Sequence, residues 1–223
     1  MNLLIKFPTR ERKEKFFSVL DNYINLASNV KKLGFIITLD LDDTTMNNDQ
    51  VKEKFESYKK NGIKLAYHYE NNKTKIQAVN ANINYILGWD ILLLASDDMI
   101  PIEKGYDEII RKDMTKNFPD TDGVLWYNDG GQNRINTLCI LGKKYFDRFG
   151  YIYHPEYNSL WCDNEFTEVS LSLNKVYKSD KVIIEHAHPV YNKSSYDYLY
   201  IRNENYKDID RLIYEKRKAK NYL

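Results

Sequence analysis

The feature that most constrains the fold is an alternation of short apolar runs with segments of helical period along the first hundred residues. Residues 3–7, 35–41, 63–67 and 91–95 are apolar and of the length of buried strands. Between them, Phe16, Phe17, Leu20, Tyr23, Ile24 and Ala27 share one helical face, as do Val51, Phe55 and Tyr58, and then Ile76, Val79, Ile83 and Ile86. Asn72 or Thr74 stands where the third helix needs its cap, and Gly88 where it ends. Regular strand-helix order of this kind predicts an α/β fold, a mostly parallel central sheet with helices on both faces and right-handed crossovers. Further on, residues 124–127 and 137–141 predict short strands, 143–149 and 164–173 helices, and 181–185 a last strand. Residues 194–223 predict one helix, with Tyr198, Ile201, Tyr206, Ile209 and Ile213 toward one face and Lys216, Arg217, Lys218 and Lys220 at a basic end.

The chain has 223 residues, 43% of them hydrophobic, enough for one substantial core, and no change of composition marks a second one. The expected organisation is a domain over residues 1–193 with a helical extension, 194–223, packed on it. Thirty-three basic against thirty-two acidic residues leave a net charge of +1, so charge alone signals neither nucleic acid nor membrane as a partner. Cys139 and Cys162 fit neither a disulfide framework nor a zinc signature, which points to a reducing compartment. Lys6, Pro8 and the charged run after Thr9 interrupt the opening residues too early for a secretory segment, and no run is long enough to span a bilayer. A cytoplasmic location is the expectation.

The strand ending at Ala95 runs into Ser96, Asp97 and Asp98. The crevice at the carboxyl ends of parallel strands is where α/β folds bind ligands, and adjacent carboxylates there repel unless a cation is shared. Oxygen ligands favour Mg²⁺ or Mn²⁺, ions that usually arrive with nucleotide phosphates. The plainer alternative has Asp97 capping the turn before Pro101. Asp163 and Glu165 open a predicted helix, as caps or as a base. His186 and His188 fall on one face at the end of the last strand, where an imidazole would complete a mixed metal shell; a surface pair is the alternative.

Taken in order, Phe7-Pro8-Thr9-Arg10, Asp40-Leu41-Asp42-Asp43, Ala95-Ser96-Asp97-Asp98, Asp163-Asn164-Glu165-Phe166 and the final strand ending in His resemble the family 2 glycosyltransferases, inverting enzymes of the GT-A fold. The likeness spans residues 3–190. It implies a nucleotide-sugar donor, a UDP-sugar first, held by Pro8, Thr9, Arg10, Asp40 and Asp42, with Lys75, Ser96 and Asp97 as further donor contacts. It implies Mn²⁺ or Mg²⁺ held by Asp98 and Asp97 with His186, and His188 in reserve. Asp163 matches the family's general base and Glu165 is second choice. Ala95 stands where the family's Asp-x-Asp metal motif has its first acid. The acceptor, a glycan or another hydroxyl compound, would stack on Trp126 and Tyr127 beside Asn128 and Asp129, although an ordinary hairpin loop accounts for the same residues.

Two other readings stay open. Asp40-Leu41-Asp42-Asp43-Thr44 after an apolar strand resembles the first motif of haloacid dehalogenase-type phosphatases, with Asp40 as nucleophile and Asp42 as acid/base. The acid missing at Ala95 motivates a catalytically inactive GT-A protein that binds nucleotide sugar without turnover.

Overall fold

The computed structural model describes residues 1–187 and 197–222. The elements begin β1 (Leu3–Pro8), α1 (Lys13–Asn25), β2 (Leu33–Asp40), α2 (Asp49–Lys60), β3 (Leu65–Glu70), α3 (Lys75–Asn80) and β4 (Ile91–Leu94). They continue β5 (Met99–Pro101), α4 (Tyr106–Asn117), β6 (Val124–Tyr127), β7 (Ile140–Gly142), α5 (Lys143–Phe149) and α6 (Cys162–Ser172). The chain closes with β8 (Val176–Ser179), β9 (Ile184–His186), α7 (Tyr198–Glu204) and α8 (Lys207–Lys218).

Seven strands form the central sheet in the order β3-β2-β1-β4-β7-β6-β8. The β1, β2, β3 and β4 pairings are parallel, as is β6 with β8, and only β7 runs against its neighbours. Reversal of the order beside β1 leaves a crevice at the carboxyl ends of β1, β2 and β4. One face buries Phe16, Leu20, Val51, Phe55, Ile110 and Met114 from α1, α2 and α4. The other buries Ile76, Val79, Tyr145, Phe146 and Phe166 from α3, α5 and α6. Helices therefore cover both faces, and both cysteines are free and buried. No helix among the described residues is long and apolar enough to cross a membrane.

Local chemistry explains where the sequence expectations shift. The helix expected through Ile86 stops at Asn80, because Asn82 turns left-handed (φ 64°) and its side chain enters a buried polar network. It accepts from Thr38 Oγ1 at 3.0 Å and donates to Glu70 at 2.8 Å, while the fully buried Lys6 donates to Thr38. Burial lowers the Lys6 pKa to about 7. Sheet pairing moves the third strand onto residues ending at Glu70, opposite Asp40, and the last strand onto His186, opposite Met99. β5 and β8 were not expected from periodicity at all. The tail is two helices, not one, and Tyr198, Ile201 and Ile209 face solvent while Asp210, Tyr214 and Arg217 turn inward. The expected boundary between 193 and 194 lies outside the described residues.

Candidate active site

Pro8, Thr9, Arg10, Asp40, Lys75, Ser96, Asp97, Asp98, Asp163 and His186 line one cavity at the crevice. Parallel pairing puts the ends of β1 and β2 side by side, with the Thr9 amide on the Thr38 carbonyl at 3.0 Å and the Ala95 amide on Lys6 at 2.8 Å. Asp42, Glu165, Trp126, Tyr127, Asn128 and Asp129 lie off that cavity, and His188 lies outside the described residues.

The adjacent carboxylates have separate partners. Asp97, buried, accepts from Arg12 Nη1 at 2.7 Å, and the same guanidinium reaches both oxygens of Asp197 at 2.7 Å and lies 4.3 Å from the Tyr200 ring centre. Burial and the neighbouring Asp98 push Asp97 up to about 6, against the pull of Arg12. Asp98 accepts from Ser96 Oγ and the Tyr200 hydroxyl and faces His186 Nε2 at 3.7 Å. Burial alone would raise its pKa; His186, Ser96 and Tyr200 outweigh that and hold it far below the usual carboxylate range.

The two-stranded ribbon of β5 and β9 brings His186 here. Its amide donates to the Asp129 carbonyl at 2.8 Å, and the Ala187 amide to the Asp98 carbonyl at 2.7 Å. Behind the imidazole, Asp129 Oδ2 stands 3.8 Å from Nδ1, an ion-pair contact too long for a hydrogen bond. Asp129 is itself fixed by Gly131, Gln132 and Thr137 at 2.7–2.8 Å. Asp129, expected beside Trp126 and Tyr127 on the acceptor side, backs His186 here. Burial would lower the imidazole's pKa, but Asp129 and Asp98 together raise it to about 9.

Once His186 gives up its added proton, a carboxylate oxygen and an imidazole nitrogen 3.7 Å apart would fit a hard divalent cation as two of its donors. No cluster of three metal-binding side chains occurs among the described residues, so diphosphate oxygens and water would complete the shell. Asp97, engaged by Arg12, is not among those donors in this arrangement.

Asp163 is the second residue of α6, at the cavity wall. Its Oδ1 accepts from the Asn164 amide at 3.0 Å. Loss of solvent raises its pKa, opposed by the positive charge of Lys75. Glu165, the alternative base, is buried and taken up: Arg217 Nε and Nη2 donate to it at 2.8 and 3.0 Å, and the Tyr157 hydroxyl at 2.8 Å. Trp126 and Tyr127, expected to stack on an acceptor, are buried in β6, with Lys178 Nζ 3.8 Å from the Trp126 ring and Tyr127 donating to Asp113 at 2.7 Å. Asp40 accepts from Arg10 at 2.9 Å and Asn72 at 3.0 Å, while exposed Asp42 takes Arg10 through both oxygens. A complete strand and helix precede β2, and both oxygens of Asp40 are engaged, an arrangement unlike a phosphatase nucleophile awaiting substrate. Arg12 and Tyr200 line the cavity and were not singled out in the sequence, and Asn72, which also lines it, was singled out only as a possible helix cap. Arg12 stands two residues past the Pro8-Thr9-Arg10 motif; Tyr200 had no local signal beyond one tyrosine among nineteen.

Neither a family model nor a curated protein matches the chain. Solved structures do. A mannosyltransferase from Pyrobaculum calidifontis, PcManGT in complex with GDP-Man and Mn²⁺, superposes with a TM-score of 0.65 at 13% identity, over 84% of this chain and 57% of its own. S. aureus TarS 1–349 in complex with UDP-GlcNAc gives a TM-score of 0.64 at 15% identity, over 88% of this chain and 62% of its own. TarS 1–349 in complex with UDP gives 0.65 at 15%, over 83% and 60%. The chain thus spans about three-fifths of the length of these neighbours. Its central sheet and covering helices have the GT-A-like glycosyltransferase fold.

Proposed function

We propose that the chain is an inverting glycosyltransferase that moves a sugar from a nucleotide donor to an acceptor hydroxyl. The observation that carries this reading is that Asp163 and the Asp98–His186 pair line the same cavity on a GT-A-like fold. Asp163 takes the proton of the acceptor hydroxyl as its oxygen bonds to the anomeric carbon from the face opposite the diphosphate. The bond from that carbon to the diphosphate oxygen breaks as the new one forms, and the electron pair leaves with the diphosphate. Of the two acids that open α6, Glu165 is held by Arg217 and Tyr157, which leaves Asp163 to act as the base and supports a single displacement with inversion.

Asp98 and His186 would hold a divalent cation, Mn²⁺ or Mg²⁺, which would supply positive charge against the departing diphosphate. Lys73, Lys75 and Arg202 bring further positive charge to the cavity, where desolvation strengthens it. Asp40 and Asn72, hydrogen-bonded to each other, line the cavity with Pro8 and Thr9 where the resemblance puts the donor nucleotide, and we take UDP as that nucleotide. A catalytically inactive protein of this fold would bind nucleotide sugar without releasing nucleoside diphosphate, and one assay separates the two.

The test is a calorimetric titration of UDP, GDP, UDP-N-acetylglucosamine and GDP-mannose, with Mn²⁺ and with chelator, followed by assay of nucleoside-diphosphate release. Binding that prefers uridine, weakens in chelator and is followed by release is the expected result. Absence of binding by every nucleotide contradicts the reading.

A further inference from the structure

The tail helix α8 contributes no residue to the cavity wall among the described residues, yet it is tied to the chain that leads into Asp163. Asp210 is fully buried. Its Oδ1 accepts from the backbone amide of Asn158 and from Asn158 Nδ2, each at 2.9 Å, and its Oδ2 from the amides of Ser159 at 2.7 Å and Leu160 at 2.8 Å. Three successive amides converging on one carboxylate make an anion-binding concavity, and the chain fills it with its own side chain. Ser159 and Leu160 line the cavity. The next residue, Trp161, is held left-handed at φ 63°, a conformation a bulky side chain keeps only when its surroundings impose it, and α6 begins immediately after. Seven residues along α8, two helical turns, Arg217 holds Glu165 from the far side of Asp163.

We infer that α8 is the positioning element of the catalytic base. Asp210 fixes the loop of Asn158, Ser159 and Leu160, and with Arg217 it sets where α6 starts and hence where Asp163 meets the acceptor. The inference rests on the role proposed above for Asp163. It makes the docking of α8 a requirement for turnover and not for nucleotide binding, since no α8 residue among the described residues lines the cavity. Asp210→Asn keeps the shape but turns an N–H group toward amide donors, leaving part of the concavity unpaired. A displacement of a reacting group by about 1 Å is enough for a hundredfold loss of rate.

The experiment compares wild type, Asp210→Asn and the milder Asn158→Ala, which removes one of the four bonds. UDP affinity is measured by calorimetry. The kcat and KM for nucleoside-diphosphate release are measured with whichever of UDP-N-acetylglucosamine and GDP-mannose the wild type turns over. Expected are UDP affinity and donor KM within about twofold of wild type, with kcat lower by about tenfold to a hundredfold in Asp210→Asn and about twofold to threefold in Asn158→Ala. Unchanged kcat in the folded variants overturns the inference, and so does a parallel fall of kcat and UDP affinity, which marks a merely structural role. If Asp210→Asn does not fold, Asn158→Ala decides by the same criteria. A wild type that binds neither UDP nor GDP and releases neither overturns the glycosyl-transfer reading itself, and the inference with it.

Discussion

At the scale of single residues, Asp163 and Lys75 form a coupled pair. Desolvation raises the Asp163 pKa and Lys75 opposes the rise. A base acts only when unprotonated, so turnover falls as pH drops through this raised value. Lys75→Met removes the opposing charge, and the acid limb of the kcat profile is expected to move to higher pH; a limb that stays in place or moves lower contradicts the coupling. Asp129 offers a second prediction. Carboxylates behind metal-binding histidines orient the ring, and their loss typically weakens metal binding about tenfold to a hundredfold. Asp129→Asn is expected to weaken Mn²⁺ binding by that factor, read by electron paramagnetic resonance without substrate, and unaltered affinity refutes the orienting role. The sequence made Asp97, Asp98, Asp163 and His186 visible because each ends a strand or opens a helix. The sequence did not show what Asp129 and Glu165 bond to for one reason: their partners, His186 and Arg217, are more than fifty residues away along the chain.

Among the secondary-structure elements, polar side chains set junctions that apolar periodicity does not reveal. Asp107, at the start of α4, is fully buried and accepts from the Ser28 and Asn29 amides at 2.7 and 3.1 Å and from Arg111 at 2.6 Å. Burial would raise its pKa, but these bonds lower it below the ordinary 3.8. A carboxyl with a depressed folded-state pKa contributes stability above its unfolded value and loses it as pH falls through the folded one. Asp107→Asn is therefore expected to cost about 1–3 kcal/mol at pH 7 and to flatten the acid side of the stability curve, measured by urea unfolding. An equal loss at pH 7 and at pH 2 contradicts the assignment. Gly142, at the end of β7, has no room for a side chain: an added Cβ would stand 2.1 Å from the Thr121 carbonyl oxygen. Gly142→Ala is expected to destabilise by about 1–3 kcal/mol, and a neutral effect in the same measurement refutes the close approach. The strands and helices before Ile91 were legible because each buries an apolar stripe. The tail was legible as helix but not in its orientation, because α8 docks through Asp210, Tyr214 and Arg217 and leaves Ile209 and Leu212 outside.

For the whole molecule, the fold class followed from the alternation of elements, and the site followed from the rule that ligands bind at the carboxyl ends of parallel strands. The reversal of β7 and the ribbon of β5 with β9 did not: strands near β7 and β9 were expected, but periodicity gives neither direction nor partner, and β5, three residues long, did not register. That ribbon brings His186 to Asp98, and so the two halves of the chain meet at one cavity. The central claim is that this cavity binds a nucleotide sugar and that Asp163 takes the proton of the acceptor hydroxyl that attacks it. It is tested most directly by comparing wild type with Asp163→Asn, measuring donor affinity by calorimetry and nucleoside-diphosphate release on the same samples. The account predicts unchanged affinity with a fall in kcat of about a hundredfold to ten-thousandfold. An Asp163→Asn protein that turns over like wild type would contradict it.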